Sequence, residues 1–185
     1  MTAKNLNKIT LSEKFISYSH LPKILKIDNE QLINHIITNS TERESDDIHN
    51  FRYNYFKVPY FTQFNFIFEY IQNLFQVDYK KNIYQFKEYN TAIILDKNES
   101  TYKHSTIDWY NLPQSPDMNC IMCLNDLKEK NYLMIDYEDG KKVTSYKMPL
   151  EKNKFILFNS ELPFYITKNT NDEKNINLFF SFQFP

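Results

Sequence analysis

The hydrophobic period of this chain changes near residue 80, and that change constrains the fold more than any single motif does. Upstream, "TQFNFIFEYIQNLFQ" carries Phe64, Ile67, Phe68, Ile71, Leu74 and Phe75 at i, i+3, i+4, i+7, i+10 and i+11. Only an α-helix brings that spacing onto one face. "IDNEQLINHIITNS" predicts a second helix, with Asp28 and Gln31 at capping-box spacing and Leu32, Ile33, Ile36 and Ile37 as its apolar side. His35 lies off that stripe and reads as a solvated helix residue. "RYNYFKVPYF" reads as extended up to Pro59, after a polar connector over 40–50 that contains His49. Downstream the period is two. It predicts strands over 82–87, 89–95, 118–125, 131–137, 142–148, 154–158, 162–168 and 175–184. Asp139-Gly140 supplies a hairpin turn between two of them. Short strands following helices imply a mainly β chain with N-terminal helices, an α+β arrangement in which a sandwich or barrel carries helices on one face. The helix stripes need the sheet as partner, so 1–185 reads as one domain. Its first 80 residues are helical or irregular and pack on a β core over 81–185.

Charge excludes some functions. The formal net charge is -1, and the only arginines are Arg43 and Arg52, so the chain carries no footprint for nucleic acid and little for bidentate phosphate binding. No run approaches the roughly 20 apolar residues of a membrane span, and "MTAKNLNKITLSEKF" lacks the apolar core of a signal peptide. A cytoplasmic protein with no membrane partner is expected. Residues with AT-rich codons dominate, including 16 Phe and 14 Tyr against one glycine. The bias marks an AT-rich genome, such as that of a marine bacterium or its phage, and with a phage comes a virion placement. Cys120 and Cys123 in "CIMC" have the spacing of a redox or zinc motif. They fall in an apolar strand, where residues three apart face opposite ways. A redox pair needs a helix N-terminus and a zinc site needs two more ligands, so both thiols are expected in the core.

The order of the C-terminal 105 residues resembles the double-stranded β-helix, a jelly-roll or cupin-like barrel, of the Fe(II)/2-oxoglutarate-dependent oxygenases related to prolyl hydroxylases. "NTAIIL" is followed by a polar loop with His and Asp, "HSTIDW", then by a strand after "SPD" and by the hairpin "YLMIDYEDGKKVTSYKM". "PLEKNKFILFNSELPFYITKN" is similar to the family's approach to its second histidine, and "EKNINLFFSFQF" to its closing strand. The resemblance implies an iron held by two histidines and one carboxylate, with a basic residue on a late strand for the far carboxylate of 2-oxoglutarate. His104 and Asp108 are the metal-ligand candidates it implies, although the family's usual carboxylate position, two past the histidine, is Thr106. The second histidine's position falls on Phe164, and no histidine follows His104. Lys174, ten residues after Phe164, stands at the spacing of the 2-oxoglutarate partner.

Three functions follow from these residues. The first is a barrel of oxygenase type that has lost iron-dependent catalysis, binds no cofactor and serves a binding or structural role, with a protein partner or a second copy of itself. The second is an active dioxygenase using Fe(II) and 2-oxoglutarate, with His104 and Asp108 on the metal and water or Glu161 completing the shell. The third is a cupin-like module whose aromatic pocket, Trp109, Tyr110, Phe164 and Tyr165, holds a sugar or another small ligand.

Overall fold

A computed structural model describes residues 6–11, 14–42, 54–86 and 90–185. Arg43, Arg52 and His49, with most of the polar connector, lie outside the described residues. Among the described residues the strands are β1 (Asn7–Leu11), β2 (Lys14–His20), β3 (Thr41–Glu42), β4 (Tyr55–Val58), β5 (Tyr84–Gln85), β6 (Asn90–Leu95), β7 (Met118–Cys123), β8 (Tyr132–Glu138), β9 (Val143–Pro149), β10 (Lys154–Asn159), β11 (Phe164–Ile166) and β12 (Asn175–Gln183). The helices are α1 (Asn29–Asn39) and α2 (Thr62–Tyr79). A major sheet runs β1-β2-β10-β7-β12-β6-β4-β3, with β5 paired to β12, and a minor sheet runs β11-β8-β9. Every pairing is antiparallel. Each period-two segment predicted after residue 80 overlaps one of the strands from β5 to β12.

Side-chain alternation sorts the core into two layers. On β7, Met118, Cys120 and Met122 pack with the helices, while Ile121 and Cys123 face the minor sheet. The same parity sends Leu178 and Phe180 of β12 to the helices and Phe179 into the barrel. The six stripe residues of α2 are all buried against the outer face of the major sheet. Burial contributes about 1.5–3 kcal/mol for each such side chain.

On α1, Leu32 and Ile36 are buried and Ile37 is exposed. Its cap is shared between helices. Gln31 N donates to Asp28 Oδ1 at 3.0 Å, but the Asp28 amide donates to Gln63 Oε1 of α2 at 2.9 Å. His35 is not simply solvated: it is half-buried, stacks on Phe61 at 4.5 Å and contacts Pro59 O through Nε2 at 3.1 Å.

The first 80 residues differ from expectation in supplying strands as well as helices. β2 was obscured because both of its faces are covered and two of its buried positions are serines. Phe15, Ser17 and Ser19 alternate with Ile16 and Tyr18, so the hydrophobic alternation is broken by polar side chains that find partners inside. Ser17, for example, hydrogen-bonds the Tyr79 hydroxyl. At the β8–β9 hairpin Gly140 sits at φ +83°, a left-handed conformation that suits a residue without Cβ. Asp139 Oδ1 accepts the Lys142 amide at 3.0 Å there.

Candidate functional site

The loop after β6 returns along β11 and places His104 opposite Phe164. Phe164 N donates to His104 O at 2.8 Å and His104 N to Phe164 O at 3.1 Å. A reciprocal pair of this kind puts both side chains on one face of the sheet, and their rings meet at 4.6 Å. Phe164 is fully buried. It also packs on Phe158 at 5.0 Å and Phe179 at 6.0 Å.

The imidazole of His104 is engaged at both nitrogens. Nδ1 lies 2.9 Å from Tyr102 O. A carbonyl only accepts, so Nδ1 carries the proton and Nε2 is left as an acceptor. Tyr55 of β4 donates its hydroxyl to that Nε2 at 3.2 Å. Tyr55 is itself buried and packs edge-on to both His104 and Phe179, each at 5.6 Å. This tautomer follows from the partner set.

Other predicted residues stand apart from this pair. At Thr106, two past the histidine, the hydroxyl receives Asn119 Nδ2 at 2.8 Å, and Ser181 Oγ donates to Asn119 Oδ1 at 3.2 Å. Asp108 is exposed, and its Oδ1 accepts the Tyr110 amide at 2.9 Å. Lys174 is also exposed and pairs with Asp96 at 2.8 Å. Its position just before β12 has the parity of the helix-facing residues. The barrel-facing positions nearby are Asn175 and Asn177, both buried, with Asn177 Nδ2 donating to Asn175 Oδ1 at 2.6 Å. Glu161 pairs with Lys14 at 3.1 Å.

The four aromatic pocket candidates are not brought together. Phe164 points into the barrel, and Tyr165, the next residue on the strand, points away from it. Trp109 and Tyr110 stand exposed on the loop before β7. A recess of about 520 Å³ beside Lys26, Asn29 and Lys152 and one of about 320 Å³ between Ile37, Phe56, Ile94 and Lys174 both lie away from His104.

The cysteines are on opposite faces of β7, and both are buried free thiols. Burial pushes the Cys123 thiol up to about 12 and raises that of Cys120 as well.

The chain matches no protein-family model and no curated protein. Solved structures do resemble it. AviO1 from Streptomyces viridochromogenes Tue57 superposes with a TM-score of 0.62 at 11% identity, over 92% of this chain and 90% of that one. A Pseudomonas putida prolyl-4-hydroxylase gives 0.60 at 10% identity, over 91% of both chains. The non-heme α-ketoglutarate-dependent epimerase SnoN from nogalamycin biosynthesis gives 0.64 at 13%, over 90% of this chain and 77% of that one. The fold is therefore the double-stranded β-helix of the 2-oxoglutarate–Fe(II) oxygenases. The described residues do not fit that class's iron and cosubstrate. At the three positions where the sequence resemblance expects ligands stand one imidazole hydrogen-bonded at both nitrogens, a threonine and a buried phenylalanine. The inward side chains at the start of β12 are neutral amides. Among the described residues, no three of His, Cys, Asp and Glu converge.

Proposed function

We propose that this chain is an oxygenase-like barrel that no longer carries out iron-dependent catalysis and serves a binding or structural role. The observation that carries this reading is the His104–Phe164 pair. One member offers no donor atom, and the other has its Nε2 lone pair committed to the Tyr55 hydroxyl. A metal would have to displace that hydrogen bond and enter a space packed with Phe158, Phe164 and Phe179. Two ligands from one short loop would leave most of the coordination shell to water.

Titration with Mn(II), an oxygen-stable stand-in for Fe(II), tests the reading on the wild type, His104→Ala and Phe164→His. The wild type is expected to bind nothing in the micromolar range, and His104→Ala to behave identically. Phe164→His returns a second imidazole opposite His104 and is expected to gain affinity. Micromolar binding by the wild type that His104→Ala abolishes would overturn the reading, and wild-type turnover of 2-oxoglutarate would establish an active dioxygenase.

A further inference from the structure

A recess of about 320 Å³ lies outside the barrel, between the end of α1 and the strands β4 and β6. Its volume suits a small molecule. Ile37, Phe56 and Ile94 give it apolar walls. Ser40 brings in the C-terminus of α1, whose carbonyls carry partial negative charge, and the last turn of that helix holds no basic residue to offset it.

Glu99 is the fixed charge of the recess. The buried Asn54 donates Nδ2 to Glu99 Oε2 at 2.9 Å, and the Asp96 amide donates to the same oxygen at 2.9 Å. Asn54 is itself anchored, since its carbonyl accepts the Ile94 amide at 3.1 Å. Both donors to Glu99 are neutral, and both fall on Oε2. Among the described residues, Oε1 has no hydrogen-bond donor and no cation pairs with Glu99. The nearby ammonium groups are already taken. Lys174 pairs with Asp96 at 2.8 Å and Lys97 with Asp172 at 2.6 Å. Lys174 and Asp96 cancel, so the recess keeps one net negative charge beside its apolar walls.

That combination selects a ligand by charge as well as by shape. An anion would meet Glu99 and the α1 carbonyls. A hard metal ion would fall short of its oxygen shell, since among the described residues no three of His, Cys, Asp and Glu converge. A cation with an apolar body satisfies both halves, and a carboxylate already held by two donors loses little freedom in meeting it. We infer that the recess binds a small organic cation, a primary ammonium on a short apolar body, with the ammonium on Glu99 Oε1 and the body against Ile37, Phe56 and Ile94. The site is separate from the His104–Phe164 pair and does not rest on the loss of iron catalysis.

Amide chemical-shift titration of the full chain with phenethylamine tests it, with phenethyl alcohol and phenylacetate as neutral and anionic matches in shape. The amine is expected to bind in the millimolar range or tighter, with shifts centred on Ile37, Ser40, Asn54 and Glu99 and with affinity falling as salt is raised. The alcohol and the carboxylate should bind at least about tenfold more weakly. Glu99→Gln keeps a carbonyl oxygen for Asn54 and for the Asp96 amide. It should therefore retain the wild-type circular dichroism and lose about tenfold in amine affinity. Ile37→Ser, at an exposed position, should weaken the amine severalfold without disturbing the fold. An amine that does not bind, or that binds no better than the alcohol, overturns the inference. So do shifts centred elsewhere on the chain, or a Glu99→Gln variant that binds as tightly as the wild type. None of these outcomes bears on Mn(II) binding, so the two readings fail separately.

Discussion

Asp136 shows what a buried carboxylate requires of its neighbours. It is nearly inaccessible on β8, yet it is held by the Lys103 ammonium and by the Ser145 hydroxyl, which donates to it at 2.6 Å. Burial pushes its pKa up, but the hydrogen bonds from Lys103 and Ser145, with the Lys103 charge, outweigh burial and hold it below the ordinary carboxylate range. Because the folded pKa is depressed, the unfolded chain takes up the proton first as pH falls. The stabilisation is complete above the unfolded value, near pH 4, and is lost as pH drops through the folded value. Asp136→Asn should therefore be less stable than wild type by about 1 kcal/mol at pH 7 in urea unfolding, with the gap closing as pH falls below the ordinary carboxylate range. A gap that stays constant down to pH 2 would remove the carboxylate from the account. Legibility at this scale was uneven. The resemblance to the oxygenase barrel set Phe164 opposite His104, and the two are paired across the sheet. Tyr55 could not be placed, because it is one of 14 tyrosines and reaches His104 only through the non-local pairing of β4 with β6.

A strand alternates its side chains, so residues three apart cannot share a face. Cys120 and Cys123 illustrate this, one packed under the helices and the other inside the barrel. Their Cβ atoms diverge too far for a disulfide, and burial keeps both protonated, Cys123 with a pKa of about 12. Unreduced protein should show two free thiols by mass. Alkylation at pH 8 should be slow in buffer and rapid in urea. A monomer lighter by two mass units, or prompt labelling of the native chain, would contradict the placement of β7. The same alternation made the later strands legible. It failed for β1 and β2, where buried Ser17 and Ser19 hide the pattern, and β4 showed only as an extended stretch before Pro59. Both predicted helices were found, because each stripe needs only local spacing to be read.

At the scale of the molecule, the jelly-roll core and the first 80 residues share strands as well as surface. β2 pairs with β10 from Lys154↔His20 to Phe158↔Ile16, and β4 pairs with β6. Removing residues 1–80 would therefore open β10 and β6 as new edges of the major sheet. It would also uncover Met118, Cys120, Met122, Phe155, Leu157, Leu178 and Phe180, which α1 and α2 now cover. Chain length alone does not forbid independent folding, since many domains of comparable size fold unaided. The outcome is decided by edges and apolar surface instead. Residues 81–185 expressed alone should aggregate or lack near-ultraviolet circular dichroism. The full chain should lose near- and far-ultraviolet signals in one coincident transition. A fragment with a dispersed, native-like amide spectrum would show that the barrel folds independently, as would two separated transitions in the intact chain. The N-terminal strands would then be an appendage to that core.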